Sequence, residues 1–230
     1  MDLARVAMLK LSAIVFFGLL LVSNTGMTAQ SLPTKDELAA IEEAQLLNQT
    51  KLANYSWEET QFISIDGEAV DYRQYSVSVG ANGEYRRNLV TEDTGQEATF
   101  EPNITEQLSP YGTYAQRLYE LANQYTTLSS GKLTQANHRG EILLLLKDGR
   151  INLEIKNYSK PGDSVVMIFN QQSQHLLSVR AKSYLNDLQD GVTIQAKFAE
   201  LPDGTNHVAT AEIGNVTRHL TVKYTNWSYQ

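Results

Sequence analysis

Four histidines, His138, His175, His207 and His219, are the side chains best suited to ligate a metal or move a proton, and they fall on separate predicted elements. None has a second ligand at helical or turn spacing; a site from His138 and Glu141 would need further ligands from elsewhere. Solvated histidines on strand edges are therefore expected, without a metal centre. Ser129-x-x-Lys132 has the spacing of a serine–lysine nucleophile. Its partner motifs are missing, and the end of a helix explains the serine as well. Glu58 and Glu59 are a carboxylate pair, yet neighbours on a strand point to opposite faces and cannot act as a dyad. There is no G-x-S-x-G and no phosphate loop, and the absence of cysteine removes thiolate chemistry. The expectation is a protein that is not an enzyme and needs no cofactor.

Twelve tyrosines with Trp57 and Trp227 are the distinctive signal of composition. Aromatic residues favour strands and pack across them. The alternative is a groove lined by aromatic bodies with polar tips, suited to an amphiphile. Six N-x-S/T triplets begin at Asn48, Asn54, Asn103, Asn157, Asn215 and Asn226. In a chain this rich in Asn, Ser and Thr they read as coincidence rather than as glycan acceptors.

The elements that must position these residues follow from periodicity. From Ile151 to Trp227 the chain reads as five or six antiparallel strands: Ile151, Leu153 and Ile155, then Leu177, Val179 and Ala181, then Val192, Ile194, Ala196 and Phe198, then Leu220, Val222 and Tyr224, each alternating with polar residues. Turns fall at 160–163, 170–174, 188–191, 202–204 and 214–215. Such strands have one apolar face, which helices, a second sheet or a ligand must cover. Upstream, Thr34 and Glu37 form a capping box for a helix running to about Asn54. Gln45 and Asn48 interrupt its apolar stripe, which places it on a surface. Strands follow over 55–65, 71–79 and 85–91, with turns at Asp66-Gly67 and Asn82-Gly83, and 91–105 is a polar connection. Ser109-Pro110 opens a second helix to Leu128 whose Tyr111, Tyr114, Leu118, Leu121 and Tyr125 recur at three and four. Residues 132–147 fit a helix or, over 141–146, a buried strand; a helix ending before Asp148-Gly149 is favoured.

Residues 1–29 read as a secretory signal peptide: Arg5 and Lys10, an apolar run from Leu11 to Val22, and a small exit ending at Ala29. The run is short for a bilayer crossing, and no cysteine follows it, so no lipobox is present. Residues 30–230 are expected to be one secreted or periplasmic domain without a membrane span. The net charge of −7 becomes −8 once Asp2, Arg5 and Lys10 are removed, which argues against nucleic acid as a partner.

The segment from Leu52 to Thr60, the turn 158–164, Tyr184 to Asp187 and the stretch Phe198 to Asn206 resemble a family of uncharacterised bacterial secreted proteins. The order helix, strands, helices, strands is also similar to periplasmic lipoprotein carriers of the LolA/LolB type. That resemblance implies an α+β fold: a strongly curved antiparallel sheet, an incomplete barrel, with two or three helices covering its concave face. No lipid-contacting residue of those carriers is matched here; the one-sided strands and the Tyr/Leu stripe of the second helix instead motivate the expectation of a lipid or lipoprotein acyl chain held between that helix and the sheet, with Tyr111, Tyr114, Leu118, Leu121, Tyr125, Phe198 and Val222 as the candidate lining. The other reading is an envelope protein–protein module, structural or sensory, with a filled interior.

Overall fold

The computed structural model describes residues 29–79, 85–93, 110–128 and 131–230. The expected signal peptide up to residue 28, the Asn82-Gly83 turn, most of the polar connection after 93, Ser109 and Ser129 lie outside the described residues.

The elements in order are β1 (Ala29–Ser31), α1 (Lys35–Leu52), β2 (Ser56–Ile65), β3 (Glu68–Val79), β4 (Tyr85–Asp93), α2 (Pro110–Thr126), α3 (Lys132–His138), β5 (Ile142–Lys147), β6 (Arg150–Lys156), β7 (Ser164–Asn170), β8 (Leu176–Tyr184), β9 (Gly191–Glu200), β10 (Asn206–Asn215) and β11 (Leu220–Trp227). All the strands join one antiparallel sheet in the order β1-β5-β6-β7-β8-β9-β10-β11-β2-β3-β4. Among the described residues the sheet does not close, with β1 and β4 as its two edges. This is the α+β incomplete barrel expected, and the described residues hold eleven strands and three helices.

Two runs of neighbouring strands, β2–β4 and β5–β11, meet where β11 pairs with β2, Val222 opposite Ile63 and Tyr224 opposite Gln61. Alternation puts Leu153, Ile155, Val165, Met167, Val179, Ile194, Ile213 and Val222 on one face, and all of them are buried. Above them lies α2, whose Tyr114, Ala115, Leu118, Tyr119, Leu121, Ala122 and Tyr125 belong to the same apolar cluster. Burying each leucine of that helix contributes about 2 kcal/mol.

The capping box forms as the sequence predicts: Glu37 N–H donates to Thr34 Oγ1 at 3.2 Å and Thr34 N–H to Glu37 Oε2 at 2.8 Å. The stripe of α1 is not broken, however. Leu38, Ile41, Gln45, Asn48 and Leu52 recur at three and four and are all buried. Gln45 donates to the Gln174 carbonyl at 3.0 Å, and Asn48 both donates to the Asn206 carbonyl and accepts its N–H, each at 2.7 Å. These amides seal strand ends and turns that would otherwise leave backbone groups unpaired. The helix does lie on a surface, with Leu46 and Leu47 exposed, but its inner side is continuous and docks through both apolar and polar contacts.

The helix favoured over 132–147 is also corrected. Helix α3 stops at His138; Gly140 takes φ +68°, a conformation that ends a helix, and Ile142–Lys147 is strand β5. Leu144 to Leu146 pair with β1 on one side and with β6 on the other. A run of four leucines-in-line with partners on both edges is a buried strand, which periodicity alone does not separate from a helix.

Candidate binding site under the helical roof

The structure gathers Leu118, Leu121, Tyr125 and Val222 into the apolar cluster between α2 and the sheet, at 0%, 4%, 0% and 0% exposure. Tyr114 is buried beside them, Phe198 is half-buried at the margin, and Tyr111 lies in α2 with its side chain outside the described residues. The hydroxyls of the buried tyrosines are engaged. Tyr125 donates to Asp163 Oδ2 at 2.5 Å and lies 2.7 Å from Ser183 Oγ. Tyr114 donates to Asp190 Oδ1 at 3.1 Å. Burial of Asp190 would raise its carboxyl, but hydrogen bonds from Asn215, Tyr114 and Asn186 hold it below the usual range. The tyrosine stripe therefore fastens α2 to the loops at 157–163 and 185–190.

Beneath α2, the face of β2–β4 turns polar. Glu59, Gln61, Asp71 and Arg73 are all buried. Arg73 Nη2 pairs with Asp71 Oδ2 at 2.8 Å, both side chains 1% exposed. Gly112 in α2 lies directly on that guanidinium: a Cβ there would come within 2.8 Å of Arg73 Cζ. Arg87 pairs with Glu59, donates to Gln116 Oε1 at 3.0 Å, and lies 3.7 Å and 3.9 Å from the ring centroids of Tyr75 and Tyr119. Burial pushes the Glu59 carboxyl up, with Arg87 only partly offsetting it. Glu58 faces away and accepts from Gln74 at 2.8 Å, so the two glutamates are separated as the strand geometry predicts.

Next to this cluster, a cavity of about 60 Å³ opens between α1, the end of α2, the start of β10 and the end of β11. Its walls are aromatic (Trp57, Tyr85, Tyr119, Phe198, Tyr224 and Tyr229) and amide-bearing (Gln45, Asn48, Gln49, Asn123, Asn206 and Asn226), with no Asp, Glu, Lys or Arg among them. Trp57 stacks on Tyr229 at 5.3 Å and meets Tyr85 edge-on at 5.8 Å. Two buried polar atoms in this lining have no partner: the Trp57 Nε1 donor and the Asn226 Oδ1 acceptor. Asn226 is oriented by its Nδ2, which donates to the Val208 carbonyl at 2.9 Å. His207, also in the lining, has Nδ1 at 3.1 Å from the same carbonyl, which fixes the proton on Nδ1 and leaves Nε2 as an acceptor. Burial lowers its pKa, keeping the ring neutral.

Among the seven residues expected to line a cavity, Phe198 alone lines this one. Sequence reasoning named Trp57, His207 and Asn226 only as part of the aromatic signal, as a solvated histidine and as the start of a triplet, and did not single out Tyr85 or Tyr229. The expectation of solvated histidines is corrected for His207, which is 7% exposed; His219 and His138 are exposed. Asn48 and Asn215 are buried, so two of the six N-x-S/T triplets present no acceptor on the folded surface.

Fold and site together define the class, an open α+β half-barrel roofed by helices, with an uncharged aromatic pocket at the seam between roof and sheet. No protein-family model matches the chain, and no curated protein matches it. Solved structures similar to it include these two. One is a LolA superfamily protein from Nitrosomonas europaea, 12% identical, covering 82% of this chain and 92% of that one at a TM-score of 0.37. The other is a DUF1329 family protein from Desulfovibrio piger, 11% identical, covering 84% and 92% at the same TM-score of 0.37.

Proposed function

We propose that this chain is a secreted or periplasmic, non-catalytic binding protein that receives an amphiphile at the Trp57 pocket. The single observation behind this reading is the pocket itself: a neutral, aromatic recess at the seam of α2 and the sheet, with an unpartnered indole N–H in its lining. Such a recess binds and orients. Its lining holds no carboxylate, lysine or arginine, and no nucleophile paired with a base. The enclosed space is that of about two waters, far below the few hundred Å³ of an ordinary ligand pocket. An acyl chain therefore enters only as α2 lifts, drawing Leu118, Leu121 and Val222 into contact with it; the conformation described is the closed one. A lipid or the acyl chain of a lipoprotein is the ligand this reading names. Displacement of an environment-sensitive dye by fatty acids and lysophospholipids tests it, with saturable one-to-one release expected. Dye that stays bound at every lipid concentration, or never binds, sinks it.

A second reading has its own observation. Strand β4 is a sheet edge among the described residues, and it exposes Leu89 and Val90, the latter at a register shift. An edge of this kind accepts a further strand from a partner. On this reading Val90→Lys abolishes retention of an envelope partner and leaves the dye titration unchanged.

A further inference from the structure

We infer that the Trp57 pocket recognises an uncharged secondary amide, the group found in an N-acetylated sugar or in a peptide bond. This rests on the reading of the pocket as a ligand site and specifies what it reads. A secondary amide carries one acceptor, its C=O, and one donor, its N–H, on a flat apolar frame. The pocket offers the complement: the Trp57 Nε1 donor and the Asn226 Oδ1 acceptor, both buried, both without a partner, both in the same lining. Buried polar atoms left unmet lose their hydration without a return, so a bound group or water is expected to satisfy them. Asn226 is not free to turn its NH2 inward, because that would forfeit its bond to the Val208 carbonyl. The neutral His207 adds an acceptor at Nε2.

Charge excludes the ionised alternatives. A carboxylate or phosphate would lose its hydration without meeting a cation, since no lysine or arginine lines the pocket. An ammonium would find no carboxylate there. The space of about 60 Å³ is that of roughly two waters, enough for a C=O and an N–H but not for a chain. The Trp57–Tyr229 stack and the edge of Tyr85 supply flat walls for the amide plane or for an attached sugar ring.

The test follows the two indole N–H signals in an amide-proton NMR spectrum, assigned by Trp57→Phe and Trp227→Phe. N-methylacetamide is expected to move the Trp57 signal saturably at millimolar concentration, and sodium acetate is not. N-acetylglucosamine against glucosamine, and an N-acetylated alanine methylamide, form the sugar and peptide arms; whichever is retained more tightly names the source. Asn226→Leu is expected to weaken the tighter probe at least tenfold. If that variant fails to fold, Trp57→Phe, which keeps the stacked ring but removes the donor, must show the same loss by calorimetry. A Trp57 signal that ignores the amide, or that answers acetate equally, overturns the inference. Lipid displacement without an amide response ends this inference and leaves the binding-protein reading standing; an amide response without lipid displacement removes the acyl chain from that reading and keeps the pocket.

Discussion

Tyr125 and Tyr114 carry the sharpest difference between what spacing reveals and what side chains do. Their recurrence on α2 was legible, and so was their burial. Their hydroxyl partners were not, because Asp163 and Asp190 lie 38 and 76 residues further on, in loops whose position depends on the finished sheet. Tyr125→Phe leaves Asp163 without its buried donor and is expected to cost about 1–3 kcal/mol by chemical denaturation. An unchanged midpoint would show that backbone donors from Ser159 and Lys160, both at 3.0 Å, suffice for Asp163. His207 gives a pH signature. Burial lowers its pKa below the ordinary 6.5, so the unfolded chain binds a proton that the folded chain refuses. Its contribution is complete above about pH 6.5 and lost as pH falls below that value through the lowered one. Melting temperatures between about pH 5 and 7 should fall on acidification, and His207→Gln should flatten that slope. A slope that persists in the variant assigns it to another group.

Elements came through where local chemistry decides them. The capping box of α1, the period-two strands of the second half, and the reversal at Asp66-Gly67, where both residues take positive φ, were all readable from the sequence. Residues 132–147 were not, because five consecutive leucine or isoleucine positions satisfy a strand and a helix equally and only pairing with β1 and β6 decides. Gln45 and Asn48 misled for a related reason: a buried amide looks like a break in a stripe until its carbonyl partner is in place. The contact of α2 with β2–β4 is testable as a unit. Arg87→Met strands Glu59 without its cation and is expected to cost about 3–5 kcal/mol. Because burial raises the Glu59 carboxyl, the folded chain holds that proton more tightly than the unfolded chain, and stability contributed there declines as pH rises from the unfolded value through the raised one. The Arg87→Met penalty should therefore shrink in acid, and Glu59→Gln added to it should restore part of the loss. A double variant as unstable as Arg87→Met alone would mean that Arg87 acts through Gln116 and the tyrosine rings. Gly112→Ala presses a methyl on the Arg73 guanidinium, which Asp71 holds in place, and should lower the melting temperature by several degrees; no change would mean that the first turn of α2 yields.

At the scale of the molecule, the α+β class and the helical cover followed from one-sided strands that need burial. The order of strands did not, since sequence periodicity carries no information on which distant edges meet. The pocket was hidden for the same reason: its walls come from α1, α2, β2, β4, β9, β10, β11 and the segment after β11, brought together only by topology. The seam between β11 and β2 has a consequence of its own. Leu220 to Trp227 pair with residues 58–65, and Gln230 exchanges backbone hydrogen bonds with Ser56, at 2.9 Å and 3.1 Å. Whatever β2, β3 and β4 do earlier, the inner edge of β2 has no strand to pair with until residues 220–230 have arrived. The front of the sheet is thus completed only by a strand made much later, and deleting residues 220–230 should leave that front, with Trp57 in it, as the piece that comes loose.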